Sequence, residues 1–140
     1  MNELDFSNRL KELAQHPAAR GLNDDAAVLT FGRHKLVLTH DMMLEGVHYL
    51  PDANPADVAW KLIAVNLSDL AAKGAKPLGF LLAYCRSGDE WDELFMLGLK
   101  QALDHFGVPL LGGDTVTGRM DCDRSIGLTA IGESRGHLVP

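Results

Sequence analysis

The sequence predicts an α+β domain: a mixed or antiparallel sheet with helices on one face. Three observations carry the prediction. Helix-like and strand-like segments follow one another in the order α-β-β-α-β-α-β-β. The first two strands are separated only by a turn around Gly32-Arg33, too short for a parallel crossover. The 140 residues are 46% hydrophobic and 23% charged, an ordinary globular balance in a chain the size of one domain.

Each element has its own signal. Residues 3–16 carry Leu4, Leu10, Leu13 and Ala14 at amphipathic helical spacing and stop before Pro17. The turn-rich "GLNDD" leads into a strand at 26–31, and a second strand spans 35–40. Residues 41–54 hold glycine, His48, proline and acids, and read as a functional loop. Asn54 is an apt N-cap with Pro55 behind it, opening a long helix that Gly74 closes. "KPLGFLLAYCRS" reads as a buried strand of about eight residues, on its near-continuous apolar run. A helix at 89–106 is closed by Gly107, "VPLLGGDTV" is a strand entering a glycine pair, and 125–133 is the last strand. The sequence has no repeat, linker or low-complexity segment, and it stops at "GHLVP" just after a strand.

A net charge of −6 with no Lys/Arg run argues against a nucleic-acid surface. The same charge makes unaided binding of a phosphate-rich ligand unfavourable, so such a ligand would need bridging cations. Cys85 and Cys122 stand at no metal or redox spacing and suit a reducing cytosol. "MNELDFSNRLKEL" is neither a signal peptide nor a membrane span, and no later apolar run reaches the ~18 residues of a transmembrane helix. A cytoplasmic protein with no membrane partner is expected.

The helix from Asn54 carries the most informative conflict. At 100° per residue, Ala59, Leu62, Ile63, Asn66, Asp69 and Leu70 share one side, while Asp57, Lys61 and Ser68 form a narrow polar stripe opposite. Asn66 and Asp69 therefore point inward, and a buried acid must be hydrogen-bonded, paired or bound to metal. Asp25 precedes a strand, while Asp41 and Asp114 follow strands. Such positions present groups to a ligand, although turns and caps also favour Asp. Converging carboxylates repel one another unless a hard cation joins them, and oxygen donors favour Mg²⁺. In "LLGGDT" two glycines let the backbone approach a ligand, although Gly-Gly-Asp is also a common turn. His48 is either a surface residue or a contact for an anionic group. His16, His34, His105 and His137 fall in no recognisable constellation. Walker A, HExxH and G-x-S-x-G patterns are absent.

"NDDAAVL", "LVLTHDMMLEGVHYLPDANPADVAWKLIAVNLSDLAAKGAKP" and "LLGGDTV", taken together, resemble the N-terminal half of the thiamine-monophosphate kinase family. That family shares a superfamily with aminoimidazole-ribotide synthetase and selenophosphate synthetase. The resemblance runs from about residue 21 to residue 133. It implies the aminoimidazole-ribotide synthetase-like fold, with two N-terminal domains pairing their sheets into a barrel in a homodimer. It also implies ATP- and Mg²⁺-dependent phosphorylation of thiamine monophosphate to thiamine diphosphate, with several Mg²⁺ ions on the N-terminal domain.

Matched motif by motif, the metal positions are Asp25, Thr39, His40, Asp41, Asp69 and Asp114, with His40 standing where relatives often have Thr. His48 matches a contact to the thiamine phosphate, Gly113 and Asp114 match a stretch that contacts ATP, and Asp24 lies behind the metal positions. The acceptor phosphate is already ionised, so the reaction needs alignment and charge neutralisation more than a strong base. Two alternatives stand beside this reading: another ATP-dependent synthetase of the superfamily, and a non-catalytic dimerising domain. Family members are about twice this length, so residues 1–140 are expected to be a single N-terminal ATP/Mg-binding domain that folds alone and turns over little or no substrate.

Overall fold

A computed structural model describes residues 1–24, 26–86, 88–119 and 122–134. Helix α1 (Glu3–Leu13) opens with a capping box: Asn2 accepts from Asp5 N–H, and the Asp5 side chain accepts from Asn2 N–H. It ends three residues earlier than the spacing suggested, and the "turn" ahead of the first strand is partly a 3₁₀ turn, Pro17–Leu22. Then follow β1 (Ala26–Phe31), β2 (His34–Leu44), α2 (Pro55–Ala72), β3 (Ala75–Arg86), α3 (Asp89–Phe106), β4 (Leu110–Thr117) and β5 (Ser125–Ser134).

The strands form one mixed sheet in the order β1-β2-β5-β3-β4. β1/β2, β2/β5 and β5/β3 are antiparallel, and β3/β4 are parallel. The α+β prediction holds at that level. Helix α2 lies against β2, β5 and β3, and α3 packs beside it on α2. On the covered face Val37, Phe80, Tyr84, Ile126, Leu128 and Ala130 meet Leu62, Ile63 and Phe95 from the helices in one buried core. Each large apolar side chain there contributes about 1.5–3 kcal/mol by leaving water.

Two strand expectations change. β2 runs on to Leu44, so residues 41–44 belong to the sheet and not to the loop. The reason lies outside the local sequence: Asp41, Met42, Met43 and Leu44 pair with Leu128, Gly127, Ile126 and Ser125 of β5. β3 is 12 residues long and buried on one face only. Its apolar run came from two unlike faces: Phe80 is fully buried, whereas Leu81 is 39% exposed on the side that no helix covers.

Candidate functional site

Of the predicted site residues on described strands, Thr39 and Asp41 lie on the covered face of the sheet and His40 and Asp114 on the open one. On the covered face, α2 is started by Asn54, whose side chain accepts from Ala56 N–H at 2.9 Å, with Pro55 at the first helical position. The helix then carries Asn66 into the core at 0% exposure. Thr39 Oγ1 donates to Asn66 Oδ1 at 3.3 Å, and Asn66 Nδ2 donates to the Leu62 carbonyl at 2.8 Å. A polar side chain is tolerated there because it bonds through both ends. Thr39, itself buried, has its hydroxyl hydrogen committed to Asn66 and keeps its lone pairs.

Asp41 is the next β2 residue on that face. Its Oδ2 is buried with no hydrogen-bond partner, an arrangement that suits an added cation or donor. Asp69 is half-buried and not sealed in the core as the helical wheel suggested. Leu70 Cδ2 lies 3.2 Å from the place a β-carbon on Gly132 would take, and Gly132 pairs with Val37. Going along α2 past Asn66 therefore leads back toward the start of β2, away from Asp41. Among the described residues, no group of three or more His, Cys, Asp or Glu gathers as a metal cage. Asp25 lies outside the described residues.

His40 and Asp114 occupy the open face. His40 Nδ1 is 2.8 Å from Thr129 Oγ1, and its ring lies across β5, 3.2 Å from where a β-carbon on Gly127 would stand. Two shallow cavities, of about 260 and 440 Å³, are both lined by His40, Ala83 and Asp114. Small residues at Gly127 and Ala83 make the floor between them. Gly113 has φ 149°, and a β-carbon there would stand 1.9 Å from the Leu82 carbonyl oxygen. The close approach anticipated at this glycine is thus made to the neighbouring strand inside the sheet.

His48 sits exposed on the loop after β2. Its Nδ1 accepts the Leu44 N–H at 2.8 Å, which fixes the neutral ring with its proton on Nε2, and Lys61 Nζ donates to its carbonyl at 2.8 Å. The loop is anchored by Glu45, which accepts from Arg124 N–H at 3.2 Å and from Arg124 Nη1 at 3.0 Å. The Arg124 guanidinium in turn lies 4.3 Å from the Trp91 ring centroid. Burial and the nearby Glu45 carboxylate push the Tyr49 phenol up to about 12. Burial, then the hydrogen bond to Asp92, hold Tyr84 above its ordinary value, so both remain neutral near pH 7.

Asp24 is pinned from two sides: Lys73 Nζ donates to Oδ1 at 2.6 Å, and Arg20 Nε lies 3.0 Å from Oδ2. The Lys73 hydrogen bond lowers the Asp24 pKa, desolvation opposes it, and the charges of Arg20 and Lys73 add to the lowering. Sequence reasoning did not foresee Lys73, Arg20, Glu45 or Arg124 in these roles. The partners lie 49 residues away for Lys73 and 79 for Arg124, with no local spacing to announce them, whereas Arg20 stands four residues before Asp24, a spacing the sequence did offer.

The family described as "AIR synthase related protein, N-terminal domain" matches residues 23–134. The chain belongs to that family. The span matched to the AIR synthase related domain contains every residue predicted above for metal, nucleotide or substrate. The chain is 42% identical over 101 residues to a thiamine-monophosphate kinase of Escherichia coli, covering 70% of this chain and 31% of that protein. It is similar to the solved structure described as AaThiL complexed with AMPPCP and TMP, with TM-score 0.81 and 29% identity, covering 94% of this chain and 41% of that one. The crystal structure of thiamine monophosphate kinase from Aquifex aeolicus matches with TM-score 0.81 and 25% identity, over 99% of this chain and 45% of that one. The chain therefore spans less than half the length of these relatives.

Proposed function

We propose that this chain is the single N-terminal, nucleotide- and magnesium-binding domain of a cytoplasmic thiamine-monophosphate kinase, which transfers the ATP γ-phosphoryl group to thiamine monophosphate. The observation that carries the reading is the likeness to AaThiL complexed with AMPPCP and TMP, at 29% identity over 94% of this chain. The geometry supports it in particulars. Asp41 offers a buried carboxylate oxygen with no hydrogen-bond partner, and Thr39 keeps free lone pairs beside it. As the family resemblance implies, Asp25 and Asp69 with Thr39 and Asp41 would hold Mg²⁺, and His40 and Asp114 on the opposite face would hold a separate ion. The metal would neutralise charge on the donor and acceptor phosphates. Gly113 and Asp114 border the open-face cavities that would take the nucleotide. His48, with its proton on Nε2, is set to donate to the phosphate of thiamine monophosphate without first being protonated.

The open face supports a homodimer. Leu29, Met42, Leu81 and Val116 are 38–58% exposed there, an apolar surface of the kind that pairs with another. Two such faces would close into a barrel. No described helix is long and apolar enough to cross a membrane. Alone, the chain would turn over little substrate, because the rest of the relatives' length is outside it.

Calorimetric titration of AMPPCP into the chain, with Mg²⁺ and again with EDTA, tests the reading. Binding that requires Mg²⁺ and is lost in Asp41→Asn and Asp69→Asn supports it. Binding indifferent to EDTA removes the carboxylates from the role, and no binding in either condition overturns nucleotide capture by this domain.

A further inference from the structure

We propose that the cleft between the 3₁₀ turn Pro17–Leu22 and the β1–β2 hairpin, lined by none of Thr39, His40, Asp41, Asp69 and Asp114, binds a small phosphate monoester. The cleft has a volume of about 520 Å³, and among the described residues every titratable side chain lining it is basic: His16, Arg20 and Lys35. Among the described residues no carboxylate lines it, Asp24 standing behind Arg20, although the chain as a whole carries a net charge of −6. A patch of this kind runs against the composition.

The donors are prepared. His16 Nδ1 accepts the Ala18 N–H at 3.0 Å, so its Nε2 carries the proton and can donate outward. Lys35 makes no ion pair among the described residues, and it stands directly opposite Thr30 in the β1–β2 register, placing an ammonium and a hydroxyl on the same wall. Arg20 spends only Nε on Asp24, and that single carboxylate is shared with Lys73, so the two cations are incompletely neutralised within this triad. Arg20 is held there at φ 53°, a left-handed conformation that is uncommon for a residue with a β-carbon.

Charge-assisted bonds from arginine and lysine to phosphate oxygens are among the strong ones, and they need no metal when the wall is already cationic. Pro17 and Val28 give the cleft an apolar floor. The volume is far larger than one phosphate group requires, so the observations favour an ester with a compact organic body over the free ion.

The test uses the 140-residue chain in EDTA at fixed ionic strength, titrated separately with inorganic phosphate and with phenyl phosphate and followed by ¹H–¹⁵N NMR. Saturable shifts centred on His16, Arg20 and Lys35 are expected, tighter for phenyl phosphate. His16→Gln and Lys35→Gln should each weaken binding by about tenfold, the loss of one good charge-assisted contact. Both residues are exposed, so an unchanged thermal midpoint verifies the fold. Non-saturating drift, or equal saturation in the double variant, overturns the site. Equal affinity for the two probes overturns the ester assignment. Because EDTA is present throughout, failure here leaves the magnesium–nucleotide reading intact, and success here does not depend on it.

Discussion

The two faces of the sheet are built from the same five strands and obey different rules. On the covered face Val37, Phe80, Leu128 and Ala130 are 0% exposed, and the polar group among them, Asn66, is bonded at both ends of its amide. On the open face Met42 is 58% exposed and Val116 55%, while His40 and Asp114 border shallow cavities floored by Gly127 and Ala83. One face is covered by the chain's own helices, and the other is covered by none of the described ones. Chemistry-bearing residues sit on both, which explains why they do not form one cluster among the described residues.

The sharpest way to break that comparison is to truncate one side chain on each face. Phe80→Ala should cost about 3–5 kcal/mol in urea denaturation. Met42→Ala, on the open face, should change monomer stability by less than about 0.5 kcal/mol. Equal effects would mean that the open face is not open in solution. Gly113→Ala should cost about 1–3 kcal/mol, since a β-carbon would overlap the Leu82 carbonyl and strands β3 and β4 would have to part. Asn66→Ala leaves the Thr39 hydroxyl buried without its acceptor and should cost about 1–3 kcal/mol, partly recovered by Thr39→Val in the same chain.

Smaller in stability but decisive for the open face is Leu81→Lys. Within about 0.5 kcal/mol the folded monomer should be unaffected. Sedimentation should nonetheless show a dimer in the parent chain and none in the variant. The smallest effect is electrostatic. The folded Asp24 pKa lies below the unfolded value of 3.8, so its stabilisation is complete above that value and is lost as pH falls through the folded one. Urea midpoints of the parent and Asp24→Asn should therefore differ at pH 6 and converge at the acid end.

Much of this was legible in the sequence because the signals were local. The Asn54-Pro55 start and the inward place of Asn66 follow from spacing and cap chemistry alone. β1 and α3 were placed to the residue for the same reason. The extension of β2 to Leu44 was not legible, because its cause is pairing with β5, more than 80 residues later. The one-sided burial of β3 was hidden by leucines on both faces: periodicity cannot separate a strand covered on both sides from one covered on a single side. For the site, residue types were readable and their distribution over two faces was not, since it depends on which strands become neighbours. The basic cleft was invisible for a related reason, its residues being scattered from His16 to Lys35 with no motif.

The strand order has a consequence for how this molecule comes into being. β5, the last described element to leave the ribosome, is the one inserted between β2 and β3. Until residues 125–134 emerge, the β1–β2 hairpin and the β3–β4 pair share no neighbouring strand and the sheet cannot close. Assembly must therefore wait on long-range contacts, a late and comparatively slow step during which apolar strand edges are exposed. A nascent chain stalled before Ser125 would be a candidate for chaperone capture, whereas one stalled after Ser134 already holds the strand that joins its halves.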